Sequence, residues 1–134
     1  EFLNYSSVIP ENWETRIRVD KSAIQECFER ISLISSSSIE KEKKYPVKVN
    51  IDIGKVTISC TNQTGDAKEE MYISTEGKNL EAGFNPKYFL DAFRAIDDQE
   101  VYIDFGTSIS PCIIRPVEEG GDYVYMVLPI RMKE

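Results

Sequence analysis

Polar and apolar residues alternate along Thr15-Arg16-Ile17-Arg18-Val19, the two-residue period of a half-buried strand. Asp20 then stands as the N-cap of a helix. Over 21–35 the apolar positions Ala23, Ile24, Cys27, Phe28, Ile31 and Ile34 recur at intervals of three and four, so one stripe faces a core while Gln25, Glu29 and Ser32 face away. The serines of 35–38 and the charges of 40–44 predict a polar loop. Residues 47–52 and 55–60 alternate on either side of Gly54, which reads as a hairpin. A third strand is expected over 67–74, a turn at 76–79 and a short strand over 80–84. Asn85-Pro86 opens a second helix, Asn as cap and Pro at the first helical position, where its missing N–H costs nothing. Phe89, Leu90, Phe93 and Ile96 form its apolar stripe. Strands at 100–105, 112–116 and 123–129 complete the pattern.

The order is strand, helix, three strands, and then the same again. Setting Asp20 against Asn85, 65 positions on, matches Ile24 with Phe89, Glu26 with Asp91, Cys27 with Ala92, Phe28 with Phe93 and Ile31 with Ile96. Cap, stripe and acid agree together, which points to an internal duplication. Two such βαβββ units place two helices side by side, with antiparallel sheets covering their apolar stripes. The expected fold is therefore α+β and pseudo-twofold.

With 134 residues, 41% of them hydrophobic and 29% charged, the chain is long enough for one domain with a core. Sixteen Lys and Arg against 23 Asp and Glu leave a net charge of −7, the opposite of a tight nucleic-acid binder. Cys27, Cys60 and Cys112 are odd in number and have apolar neighbours, so buried thiols in a reducing compartment are expected. Histidine is absent, which removes the commonest general base and most zinc ligation. The carboxylate pairs Asp97-Asp98 and Glu69-Glu70 read as solvated surface, and no glycine-rich phosphate loop is present. No catalytic residue, metal ligand or cofactor is assigned. With no apolar run of membrane-spanning length, a cytoplasmic protein is expected. The chain begins at Glu1 rather than Met, and a preceding segment is expected to have been cut away.

Several stretches carry a family resemblance: Phe2-Leu3-Asn4-Tyr5-Ser6-Ser7-Val8-Ile9-Pro10, Gly83-Phe84-Asn85-Pro86-Lys87-Tyr88, Ser110-Pro111-Cys112-Ile113-Ile114-Arg115-Pro116, and the end Tyr125-Met126-Val127-Leu128-Pro129-Ile130-Arg131-Met132. In these the sequence resembles the third, C-terminal domain of the bacterial beta sliding clamps, the processivity subunits of DNA polymerase III. The resemblance implies the DNA-clamp fold, with residues 1–12 an arm from a missing preceding domain and 13–134 the clamp domain. It further implies a homodimeric ring around duplex DNA, without sequence readout. The ring would tether the replicative polymerase and dock short linear peptides from polymerases, clamp loader and repair proteins. The chain alone is expected to be a monomer. A second reading, also open, is a stand-alone peptide-binding module of the same fold.

By the same resemblance the peptide pocket is walled by Leu3, Ser7 and Val8 of the arm, Asn85 and Tyr88 at the second helix, Ile109 and Pro111, and the tail residues Met126, Val127, Leu128, Pro129, Ile130, Arg131 and Met132. Leu3 and Ser7 stand where many members carry Pro and Arg, and Met132 where the family usually ends in Leu. Arg30, Lys87 and Arg94 are the candidate DNA-facing cations. Their weakness is visible in the repeat, because the equivalents of Lys87 and Arg94 in the first helix are Ser22 and Glu29. Leu33 and Ile34, with Lys68, Glu69 and Glu70 on a neighbouring edge strand, are the candidate subunit interface.

Overall fold

The structure is a computed structural model that describes residues 13–36, 46–62, 65–117 and 123–130. In chain order the elements are β1 (Thr15–Asp20), α1 (Lys21–Ser36), β2 (Val47–Asp52), β3 (Lys55–Asn62), β4 (Gly65–Tyr72), β5 (Ser74–Gly77), β6 (Leu80–Phe84), α2 (Pro86–Ala95), β7 (Glu100–Phe105), β8 (Cys112–Pro116), β9 (Tyr125–Val127) and β10 (Pro129–Ile130). Both helices start on the side chains expected to cap them. Asp20 Oδ2 accepts the Ala23 N–H at 2.9 Å, and Asn85 Oδ1 accepts the Lys87 N–H at 3.0 Å. Gly54 supplies the positive φ of 75° that the β2–β3 turn requires.

Two five-stranded antiparallel sheets form, ordered β5-β1-β7-β8-β9 and β10-β6-β2-β3-β4. Substituting β10 for β5, β6 for β1, β2 for β7, β3 for β8 and β4 for β9 turns the first order into the second. The duplication read from the sequence is thus a pseudo-twofold of the whole domain. Its axis runs between α1 and α2, where the matched residues Phe28 and Phe93 lie 5.8 Å apart and Phe28 stacks on Phe89 at 4.7 Å. Val47, Val49 and Ile51 of one sheet and Val101, Ile103 and Phe105 of the other close a single core over these rings. The three cysteines are buried, and no disulfide joins them.

Two strands differ from the expectation. The strand expected over 67–74 is β4, ending at Tyr72, and the chain then crosses to the other sheet as β5, whose Ser74 to Gly77 pair with Arg18 to Thr15 on β1. The turn expected at 76–79 therefore begins later, after Gly77. The final strand, expected over 123–129, likewise divides: β9 pairs with β8 in one sheet, and β10 pairs with β6 in the other. Both crossings follow from the sheet edges. β1 and β6 each have a free edge beside the departing strand, and backbone groups left there without partners are costly unless solvated. Pro129, which lacks an N–H, is tolerated because β10 is an outer strand.

Candidate functional site

Sheet register gathers the C-terminal candidates at one corner. Cys112 opposes Val127, so the β7–β8 loop that carries Ile109 and Pro111 enters beside Leu128. Pro129 and Ile130 oppose Phe84 and Gly83, which places them next to Asn85 and the first turn of α2. Asn85 is anchored there by its cap, and its carbonyl accepts the Tyr88 N–H at 3.2 Å. The corner is apolar and open: Tyr88 is 54% exposed, Ile109 64%, Leu128 62% and Ile130 36%. Val127 is buried and Met126 half-buried, so the tail strand both packs the core and presents a face. Leu3, Ser7, Val8, Arg131 and Met132 lie outside the described residues.

The helix pair presents the candidate cations, each already beside a carboxylate. Lys87 Nζ lies 3.4 Å from Asp91 Oδ2, one turn along α2. Arg94 Nη2 lies 3.6 Å from Glu29 Oε2 across the pseudo-axis. Arg30 leaves the helix face for the edge strand, donating to both oxygens of Glu69 at 3.0 and 2.9 Å. That contact holds the Glu69 carboxyl below its ordinary pKa and raises Arg30 above its own.

The description "DNA polymerase III beta subunit, C-terminal domain" matches residues 6–131 of this sequence. The chain belongs to that family. It is 32% identical over 127 residues to the beta sliding clamp of Staphylococcus aureus, covering 92% of this chain and 32% of that protein. Among solved structures, the beta subunit of Thermotoga maritima DNA polymerase III superposes with a TM-score of 0.85 at 30% identity, covering 99% of this chain and 35% of that one. The sliding clamp of Bacillus subtilis gives 0.86 at 26%, covering 99% and 34%. This clamp domain thus spans about a third of the length of the curated relatives it matches and carries the DNA-clamp fold.

The remaining candidates of the clamp domain lie around its edges. Leu33 is 68% exposed at the end of α1, and the Ile34 side chain is outside the described residues. On β4, Lys68 and Glu70 point outward, and Glu70 Oε2 is 3.3 Å from Lys55 and 3.7 Å from Lys68. Glu69 points inward to Arg30. The reading of Glu69-Glu70 as plain solvated surface therefore holds for Glu70 alone.

One cluster escaped the sequence reading. Asp104 on β7 is 3% exposed and accepts from Arg16 Nε at 2.6 Å and Nη2 at 2.9 Å. Arg115 Nε sits 2.9 Å from Asp104 Oδ2, the oxygen that accepts from Arg16 Nη2, without hydrogen-bond alignment. The Arg16 guanidinium is stacked 4.2 Å from the Tyr102 ring and 4.9 Å from Trp13. Beside it lies an open cavity of about 220 Å³, walled by Trp13, Asp104, Phe105, Thr107, Ser110 and Pro111 among others. The cavity borders the loop that displays Ile109, whose turn is closed by Ser110 N–H donating to Thr107 O at 3.2 Å. The lone Trp, beside an Arg-rich strand, was the available signal. Among the described residues no group of three His, Cys, Asp or Glu could hold a metal ion.

Proposed function

We propose that this chain is the C-terminal third of a ring-shaped sliding clamp that tethers the replicative polymerase to duplex DNA and docks partner peptides, with no catalytic step of its own. The observation that carries the docking role is the apolar corner of Tyr88, Ile109, Leu128 and Ile130, four exposed side chains on three separate segments. Such a surface suits short linear peptides with apolar anchors, and Met126 beside it adapts to varied partners. In this reading Asn85 and Pro129 frame the corner, and Arg131 and Met132 extend it. Leu3, Ser7 and Val8 complete it from the arm of 1–12. A weakly cationic helix face fits a ring that slides, because phosphate contacts carry no sequence information. Leu33 and Ile34 with the β4 edge form the subunit contact of a cytoplasmic homodimer, whereas the isolated chain stays monomeric. The stand-alone module is not favoured, since the curated relatives are sliding clamps about three times this length.

The test is an amide NMR titration with a peptide of the Gln-x-x-Leu-Phe kind. Shifts are expected at Tyr88, Ile109, Leu128 and Ile130, at up to millimolar peptide. Unmoved signals at that corner, or shifts confined to another face, would remove the docking reading.

A further inference from the structure

The cations assigned to face DNA are paired in an orderly way. Arg94 meets Glu29, its own counterpart in the repeat, 3.6 Å away across the pseudo-axis. Lys87 meets Asp91 one turn along the same helix at 3.4 Å. Arg30 is drawn off to Glu69 on β4. Glu26, the counterpart of Asp91 in the repeat, adds another exposed carboxylate to the α1 side of the surface. A cation that contacts a phosphate must first leave its carboxylate, and the carboxylate so freed is then held within a few ångströms of a second anion. Both effects subtract from each contact.

We infer that Glu29 and Asp91 limit the affinity of the helix face for duplex DNA, acting as internal competitors of phosphate; the inference rests on the duplex-facing reading above. Glu29 is placed for this by the repeat itself. Had the first half carried Arg at that position, two guanidinium groups would meet at the axis and the face would be strongly basic. With Glu there, the two halves neutralise each other where they touch. The surface is then suited to transient contact with a sliding duplex, since few condensed counterions are displaced per encounter.

The test measures binding of a fluorescent 20-base-pair duplex to the chain by anisotropy, between about 20 and 150 mM salt, a screening length of about 20 Å down to about 8 Å. Glu29→Gln with Asp91→Asn is expected to tighten binding about tenfold at the low-salt end, and to steepen the slope of log K against log salt by about one to two. Asp52→Asn with Glu76→Gln makes the same change in net charge on exposed strand positions, and is expected to leave both readouts near wild type. Equal tightening by that control pair would overturn the inference in favour of net charge alone. No change from the Glu29 and Asp91 pair, with weaker binding in Lys87→Ala/Arg94→Ala, would overturn it while keeping the duplex-facing reading. No change in Lys87→Ala/Arg94→Ala would remove both. All six positions are on the surface, and thermal unfolding confirms that each variant is folded.

Discussion

The two halves of the domain share one topology and use it differently. In the first, α1 has 16 residues, β4 has eight, and the β2–β3 turn is the tight pair Ile53-Gly54. In the second, α2 has 10 residues, β9 has three, and the β7–β8 connection is a longer loop through Ile109. Regular pairing is thus concentrated in the first half, while exposed apolar residues occur in both. The comparison can be made residue by residue. Leu128 has Tyr72 as its counterpart, and Ile109 lies in the turn that corresponds to Ile53; all four are exposed. Tyr88, however, corresponds to Ala23. The first half has the rim of the proposed docking corner without its helix wall, so a shared fold alone does not make a site.

If the pseudo-twofold is the organising feature of the core, its paired residues should carry equal weight. Phe28 and Phe93 are 1% and 0% exposed, and they contact each other across the axis. Phe28→Ala and Phe93→Ala are each expected to cost about 3–5 kcal/mol, measured by denaturant unfolding, through lost burial and an uncollapsed cavity. A large inequality would mean that one half folds around the other rather than with it.

The outer faces of the sheets should separate the halves. Register places Asp104 opposite Arg16 and Asn50 opposite Glu81, so the clamped carboxylate of one sheet corresponds to an amide in the other. Glu81 instead reaches Lys48 at 2.8 Å, with both side chains about half exposed. Asp104→Asn leaves two arginines facing each other with little solvent and is expected to destabilise by about 3 kcal/mol. Glu81→Gln is expected to cost less than about 1 kcal/mol, because an exposed pair is solvated in either state. The same unfolding measurement reads both.

These positions also show what the sequence could and could not reveal. The caps, the stripes and the helix-to-helix offset of 65 were readable because each is local. The alternation also set Asp104 on the face opposite Ile103, where the structure has it. Its burial was not readable, since the cover comes from Arg16 and Arg115 on neighbouring strands, far away in sequence. The crossings after Tyr72 and at Leu128 were missed for a related reason: apolar residues run on through both, as Met71-Tyr72-Ile73 and Val127-Leu128, and only the other sheet's free edge tells the chain to leave. Of the proposed docking corner, the members came from the family resemblance, while their exposure and their convergence came from the folded structure.

Leu128→Asp sharpens the contrast between the corners. Placing a charge at the centre of the apolar wall is expected to weaken peptide binding about tenfold or more, a change of about 1.4 kcal/mol per decade. Tyr72→Asp, at the counterpart position, is expected to leave binding unchanged. Both residues are exposed, so neither variant should alter the fold. Equal losses would mean that the two corners bind alike and that Tyr88 is dispensable.

The smallest effect is the one most specific to the two halves, because Glu69 and Tyr125 occupy corresponding positions on β4 and β9. The hydrogen bonds from Arg30 lower the Glu69 pKa from its ordinary 4.5. The folded carboxyl therefore binds protons less readily than the unfolded one, and the stability it contributes is complete above pH 4.5 and lost as pH falls through the folded value. Tyr125 is shifted the other way, since burial raises its phenol from 10.0. Above pH 10 the unfolded chain releases that proton first, so stability contributed by Tyr125 is complete below pH 10 and declines as pH rises through the folded value. Glu69→Gln should flatten the acid limb of a stability profile and leave the alkaline limb alone. Tyr125→Phe should do the reverse. A Glu69→Gln profile that still falls below pH 4.5 with the wild-type slope would show that the Arg30 contact contributes nothing to folding.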